Sequence, residues 1–181
     1  MNMKRCFISI DIPEEIRSEV IEIQRQLPEF RGKVTEPENL HLTLKFLGEV
    51  DEGKVEEVKK RLSGIKFERF EAEVDEVGVF SEKFVRIVWL HLGGCEELQK
   101  KVDSVLEGIF PKERRFMSHL TIARVKSVKN KKRFLDEFKK IKLQKIKFNV
   151  DSFRLKESVL RPEGPVYKII EEYPLKMENI N

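Results

Sequence analysis

Two cysteines, Cys6 and Cys95, are too few and too far apart in sequence for a disulfide framework or a metal-binding pair. Each is expected to act as a small buried hydrophobe. No apolar run approaches the roughly 20 residues of a membrane span. The N-terminal run from Met1 to Ile10 passes straight into an acidic segment without a small-residue cleavage site, so no signal peptide is read there. Neither His-Glu-x-x-His nor a complete Gly-x-x-x-x-Gly-Lys-Ser/Thr loop occurs (Val55 follows Gly48–Lys54), which argues against metal catalysis and against nucleoside triphosphate hydrolysis by that route. No flexible linker or low-complexity segment interrupts the chain. Alanine occurs twice, glutamine four times and threonine three times. With Lys, Glu and Arg abundant, this resembles the composition of heat-adapted proteins that use surface ion-pair networks.

What is present is globular: 181 residues, 40% hydrophobic and 38% charged, enough for one domain or two small lobes. Net charge is only +4, but it is unevenly spread. From Lys112 to Lys147 there are 14 Lys or Arg against three acids. Such a block is read either as a solvated helix face or as a surface for a polyanion such as RNA.

The scarcity of threonine gives weight to a repeated string. His41-Leu-Thr43-Leu and His119-Leu-Thr121-Ile both read His-x-Thr-x, 78 residues apart, and use two of the three histidines and two of the three threonines. Chance would produce this on the order of once in a thousand.

Around each copy the periodicity predicts similar elements. A strand at Lys4–Ile10 leads into a helix striped by Ile16, Val20, Ile23 and Leu27. The motif strand His41–Leu47 is followed by a helix capped by Asp51 and striped by Val55, Val58 and Leu62, then a strand at Phe70–Phe80. The second half repeats the order. A strand at Phe84–Leu92 precedes a helix striped by Leu98, Val102, Val105, Leu106 and Ile109. The motif strand His119–Val125 precedes a helix with Phe134, Leu135, Phe138 and Ile141. Strands at Ile146–Leu155 and Val166–Tyr173 end the chain, joined by a turn with Pro162, Gly164 and Pro165. Phe7 lies 34 residues before His41, and Ile87 lies 32 before His119. The expectation is a single α+β domain over residues 1–181, a tandem duplication (approximately 1–80 and 84–155) folded into two similar lobes. Each lobe would carry an antiparallel sheet with helices packed on the outside, and the motif strands would face each other across a cleft.

Strand side chains alternate faces, so His41 shares a face with Thr43, and His119 with Thr121, while Leu42, Leu44, Leu120 and Ile122 point into the core. One imidazole can accept a proton while another donates one, and a threonine hydroxyl can hydrogen-bond a phosphate oxygen. That set suits attack of water on a phosphodiester without a metal. His91, at a strand end before Gly93-Gly94, is read as structural.

The motifs and their flanks resemble the 2H phosphoesterase superfamily, and within it the RNA 2′,3′-cyclic phosphodiesterases, also named 2′-5′ RNA ligases. The matching residues are Arg5-Cys-Phe-Ile-Ser-Ile-Asp-Ile-Pro13, Glu38-Asn-Leu-His-Leu-Thr-Leu-Lys-Phe-Leu-Gly-Glu-Val50, Val88-Trp-Leu, His119-Leu-Thr-Ile-Ala-Arg124, Ser158-x-Leu and Gly164-Pro-x-Tyr167. The resemblance implies a bilobed fold and opening of a terminal 2′,3′-cyclic phosphate to a 2′-phosphate. It implies His41 as proton donor to the leaving 3′ oxygen, His119 as proton acceptor from water, and Thr43 and Thr121 as phosphate ligands. It also points to Arg124 for phosphate and Phe46 for base stacking, each five residues after its histidine. Strict alternation puts both on the face opposite the histidines, so a bulge or strand end must re-aim them; otherwise Phe46 is core. Ser158 and Tyr167 are read as turn or core residues.

The expected partner is RNA with a cyclic phosphate end, tRNA fragments included, with nucleotides as further ligands. No cofactor, metal or membrane is expected, and the protein is taken as cytoplasmic and monomeric. ATP-independent 2′-5′ ligation or cleavage in tRNA processing, a non-catalytic RNA- or nucleotide-binding module, and a structural protein with scattered histidines are the alternatives.

Overall fold

A computed structural model describes residues 2–177. The chain runs β1 (Met3–Asp11), α1 (Glu14–Arg25), β2 (Arg31–Val34), a 3-10 turn (Pro37–Asn39), β3 (His41–Asp51), α2 (Glu52–Ser63), β4 (Phe70–Val79), β5 (Ile87–Gly93), α3 (Glu96–Val105), β6 (His119–Ser127), α4 (Lys131–Phe138), β7 (Ile146–Val150), β8 (Ser152–Arg161) and β9 (Gly164–Pro174). The fold is α+β, in two antiparallel strand groups. One is ordered β3-β1-β8-β9 and the other β7-β4-β5-β6, with β2 added on β6. The groups join where Leu42 of β3 pairs with Leu120 of β6, giving one nine-stranded sheet.

The strand groups exchange elements between the sequence halves. β4 pairs with β5 and β7, while β8, the continuation of β7, pairs with β1. The single strand expected at Ile146–Leu155 is therefore two strands, divided at Asp151 where the chain passes from one strand group to the other. There the Asp151 carbonyl accepts a hydrogen bond from Leu175 N at 2.7 Å. The helices exchange as well: α1 packs on β6 and β7, and α3 on β3. Their apolar stripes supply buried Ile16, Val20, Ile23, Leu98, Val102 and Leu106 to one core, which also takes Leu42, Leu44, Leu120 and Ile122. Asp51 caps α2 by accepting from Lys54 N at 2.9 Å, a contact typically worth about 1 kcal/mol. Cys6 and Cys95 are free and buried in the core, and burial pushes their thiols up to about 11 and about 12.

Two further differences bear on the site. β2 lies in a segment the periodicity leaves as loop, because its four exposed residues carry no alternation; backbone pairing to β6 makes it a strand. And β5 begins at Ile87, so Phe84 stands in the β4–β5 loop, 62% exposed.

Candidate active site

Both motif strands break their alternation at the same place. Along β3, Ile8 pairs with Lys45 but Ser9 pairs with Thr43, so Leu44 is an extra residue. Along β6, Val88 pairs with Ala123 but Trp89 pairs with Thr121, so Ile122 is extra. A bulge of this kind shifts every later side chain to the other face. Phe46 and Arg124 thereby come to the histidine side, and the sheet lines one cleft of about 740 Å³ with His41, Thr43, Phe46, His119, Thr121 and Arg124. All six residues expected in a site are brought together.

Each bulge is held by a buried polar side chain, Gln24 at one and Lys45 at the other. At Ile122, the carbonyl accepts from Thr35 N and from the buried Gln24 Nε2, both at 2.9 Å, and Gln24 Nε2 also donates to the Thr35 carbonyl. Thr35, the remaining threonine, donates its hydroxyl to the Thr121 carbonyl at 2.9 Å. At the β3 bulge Lys45 is turned inward, 5% exposed, and its ammonium pairs with Asp103 of α3 and donates to the Pro111 carbonyl at 2.7 Å. Asp103 in turn accepts from Glu113 N at 2.8 Å.

The histidines are presented alike. His41 Nδ1–H donates to the Asn39 carbonyl at 2.7 Å, and His119 Nδ1–H donates to the Met117 carbonyl at 2.8 Å. A carbonyl can only accept, so each ring is fixed as the Nδ1–H tautomer and Nε2 keeps its lone pair for other chemistry. Each ring also meets an aromatic edge-on at 5.0 Å: Tyr167 against His41, and Phe80 against His119. Because Leu42 opposes Leu120 in an antiparallel pair, each histidine stands across from the other strand's threonine, and the two histidines are diagonal neighbours. Regular ladders hold such diagonals about 7–8 Å apart.

The surroundings differ. His41 also packs on Phe7, at 5.1 Å between centroids, and burial lowers its pKa to about 4. The bond to Asn39 and the charge of Asp11 oppose that shift, while Lys156 and Arg124 add to it. Asp11 pairs in register with His41 and anchors a network beside it, bound by Lys156 and by Arg154 Nη1 at 2.5 Å. Burial alone would raise the Asp11 carboxyl, but the two cations hold it below the ordinary carboxylate range. Lys156 is lowered by the same burial, with Asp11 opposing. His91, whose Nδ1 lies 2.6 Å from Asp75 Oδ1, does not line the cleft.

Ser158 and Tyr167, expected as turn or core residues, line the cleft instead. They are paired across β8 and β9 on the face that carries Phe7, a relation set by pairing between distant segments. Arg5, Phe7, Lys33 and Asn39 are lining residues the motif argument missed. Among the described residues no carboxylate lies within ion-pair distance of Arg5 or Arg124, whereas Lys33 pairs with Glu36. The same residues contain no cluster of three or more His, Cys, Asp or Glu able to hold a metal ion, and no helix long and apolar enough to cross a membrane.

A nine-stranded α+β sheet presenting two His-x-Thr pairs to one cleft defines a two-histidine phosphoesterase architecture. The sequence profile of LigT like phosphoesterases matches residues 10–89 and 93–167, each stretch holding one motif, and the chain belongs to that family. It is 36% identical over 174 residues to an RNA 2′,3′-cyclic phosphodiesterase of Methanocaldococcus jannaschii, covering 93% of this chain and 99% of that one. A crystal structure from Thermus thermophilus superimposes with a TM-score of 0.80 at 26% identity, covering 97% of this chain and 100% of that one. Escherichia coli LigT in complex with 3′-AMP gives a TM-score of 0.78 at 25% identity, covering 97% and 99%.

Proposed function

We propose that this protein is an RNA 2′,3′-cyclic phosphodiesterase that opens the cyclic end to a 2′-phosphate by acid–base catalysis between His41 and His119, without a metal. The observation that carries the reading is the pair of imidazoles with free Nε2 atoms on one cleft wall, each beside a threonine hydroxyl. The names of the relatives support the substrate class. In this reading Thr43 and Thr121 donate to the non-bridging phosphate oxygens and Arg124 supplies positive charge to them. His119 Nε2 takes a proton from water as its oxygen attacks phosphorus. The bond from phosphorus to O3′ breaks, and protonated His41 gives its Nε2 proton to O3′. The product carries a 2′-phosphate and a free 3′-hydroxyl, and the two histidines regain their starting states through solvent. Phe46, 72% exposed at the cleft mouth, offers a face for the terminal base.

His41 with a pKa near 4 is neutral in the empty cleft at neutral pH. It serves as the acid because the bound phosphate's negative charge raises its proton affinity.

The test is hydrolysis of an oligonucleotide with a 2′,3′-cyclic phosphate end, with the product isomer identified. His41→Ala and His119→Ala should each cut turnover by roughly 10²–10⁴-fold, and EDTA should leave it unchanged. Full activity in both variants, or a 3′-phosphate product, would sink the mechanism.

A further inference from the structure

The rim beside His119 has features that opening a single cyclic phosphate does not use. Phe80 is 50% exposed although its ring meets His119, and it rests on Trp89 with centroids 5.8 Å apart. Trp89 lies flat over Gly78, where a Cβ would come within 2.4 Å of the indole, so the glycine lets the ring seat against the strand. Four residues on, Phe84 stands 62% exposed. Two large aromatic faces therefore follow the catalytic cleft in a loop that gains nothing in folding from exposing them.

Cations accompany them. Lys83 Nζ lies 5.5 Å from the Phe84 ring centre, and Lys131 reaches the Lys83 carbonyl at 3.4 Å. Lys126 follows Arg124 on the same face of β6, and its carbonyl is held by Arg86. Of the basic block, Lys129, Arg133, Lys139, Lys145 and Lys147 face carboxylates, and Lys139 neutralises Glu82, the acid of this loop. Lys83, Lys126 and Lys131 have no carboxylate within ion-pair distance among the described residues.

We propose that Phe80, Phe84, Lys83, Lys126 and Lys131 form a track for single-stranded RNA, taking the nucleotides on the 5′ side of the cyclic end. This rests on the proposed function. A cyclic phosphate terminates a strand at its 3′ end, so the remaining polymer leaves the cleft through the terminal ribose O5′. Alternating aromatic faces and unpaired ammonium groups match what a flexible strand offers, namely stackable bases and regularly spaced phosphates. The track makes the enzyme prefer polymer ends over cyclic mononucleotides.

The test measures binding by anisotropy and competition. The probes are a fluorescein-labelled hexaadenylate ending in a 2′-phosphate and the mononucleotide 2′-AMP. Wild type should bind the hexamer more tightly, with strong salt dependence. Phe84→Ala should lower the hexamer-to-mononucleotide affinity ratio by about tenfold, the scale of one stacked base. Lys83→Glu with Lys131→Glu should reduce the salt slope for the hexamer by about 1.4, at roughly 0.7 per phosphate contact on a single strand. All three positions are exposed, so the variants should fold. A wild type with no hexamer preference, or variants with the same ratio and slope as wild type, would overturn the track. A protein that opens a cyclic-phosphate hexamer while its ratio ignores both variants would lose the track alone. One that shows the ratio changes but leaves the cyclic end intact would lose the catalytic reading alone.

Discussion

The proton affinity of His41 offers the sharpest test of how the cleft works. Burial lowers its pKa from the ordinary value of about 6.5 to about 4, which amounts to about 3 kcal/mol at about 1.4 kcal/mol per tenfold change. An anion held by Thr43 and Thr121 acts in the opposite sense. One negative charge about 5 Å from the ring, at an effective dielectric constant of about 20, favours the imidazolium by about 3 kcal/mol. The two effects nearly cancel, so a loaded site should return His41 to near 6.5. Sulfate is a good probe, because its charge stays constant between pH 4 and 8. Imidazole resonances followed by NMR should show His41 titrating near 4 in the free protein and at least about two pH units higher with sulfate, a dianion, bound. By linkage, sulfate binding takes up a proton between those two values, so affinity rises up to tenfold per unit as pH falls through that window. His41→Asn should remove that dependence. If His41 titrates near 6.5 in the free protein, or if sulfate leaves its pKa in place, the argument that substrate charges the acid fails.

The same depressed pKa reaches stability with a definite sign. Between about 6.5 and about 4 the unfolded chain binds the proton that folded His41 does not, so folding stability falls as pH drops through that window. The loss is at most about 3 kcal/mol, and denaturant melts of wild type and His41→Asn at pH 7.5 and 4.5 should differ by that acid-dependent amount; parallel losses in both would refute the assignment. Asp103→Asn leaves the Lys45 ammonium buried opposite a neutral amide and should cost about 3–5 kcal/mol in urea melts. Lys45→Met combined with Asp103→Leu should recover most of that loss, and additive losses would contradict a coupled pair. Gly32→Ala places a Cβ 2.2 Å from the Arg124 carbonyl at a φ of +156°, so β2 must move off β6. Its melting temperature should fall by several degrees, and an unchanged melt would show that β2 is not held as tightly as that contact requires.

The sequence carries more of the site than strict alternation admits. The core positions of the motif strands run Leu42, Leu44, Leu47 and Leu120, Ile122, Val125, each with a step of two followed by a step of three. That change of phase is the bulge written in the sequence, and it re-aims Phe46 and Arg124 toward the cleft. The helices were legible for a similar reason, since stripes such as Val55, Val58 and Leu62 record one buried face. Ser158 and Tyr167 were not legible, because their place depends on β8 and β9 pairing beside β1 across most of the chain's length. Nor was β2, whose four exposed residues owe their strand to backbone bonds with β6. The basic block divides in a way composition cannot express: Lys129, Arg133, Lys139, Lys145 and Lys147 pair with acids, whereas Arg124 lines the cleft with no carboxylate within ion-pair distance among the described residues.

The division of labour that the proposed mechanism assigns to the two histidines cannot originate inside the motifs. Both rings donate Nδ1–H to the carbonyl two residues upstream, both meet an aromatic edge at 5.0 Å, and both stand on the near side of a bulge with a threonine two residues on. A reaction that moves a proton from water to a leaving oxygen needs two groups in opposite states, so the asymmetry must come from what surrounds them. It lies at His41, packed on Phe7 as well as Tyr167 and set over the Asp11–Lys156–Arg154 network, while Phe80 against His119 remains half open to solvent. In the proposed mechanism, burial keeps His41 neutral until an anion arrives, and the anion's charge then makes it the protonated partner. Replacing Lys156 with Met removes a cation that disfavours the imidazolium but leaves Asp11 with Arg154 alone, and both changes raise the His41 pKa. The acid limb of the free enzyme's kcat/KM profile should therefore move to higher pH in Lys156→Met. A limb that stays in place would mean that the network sets only the shape of the lobe.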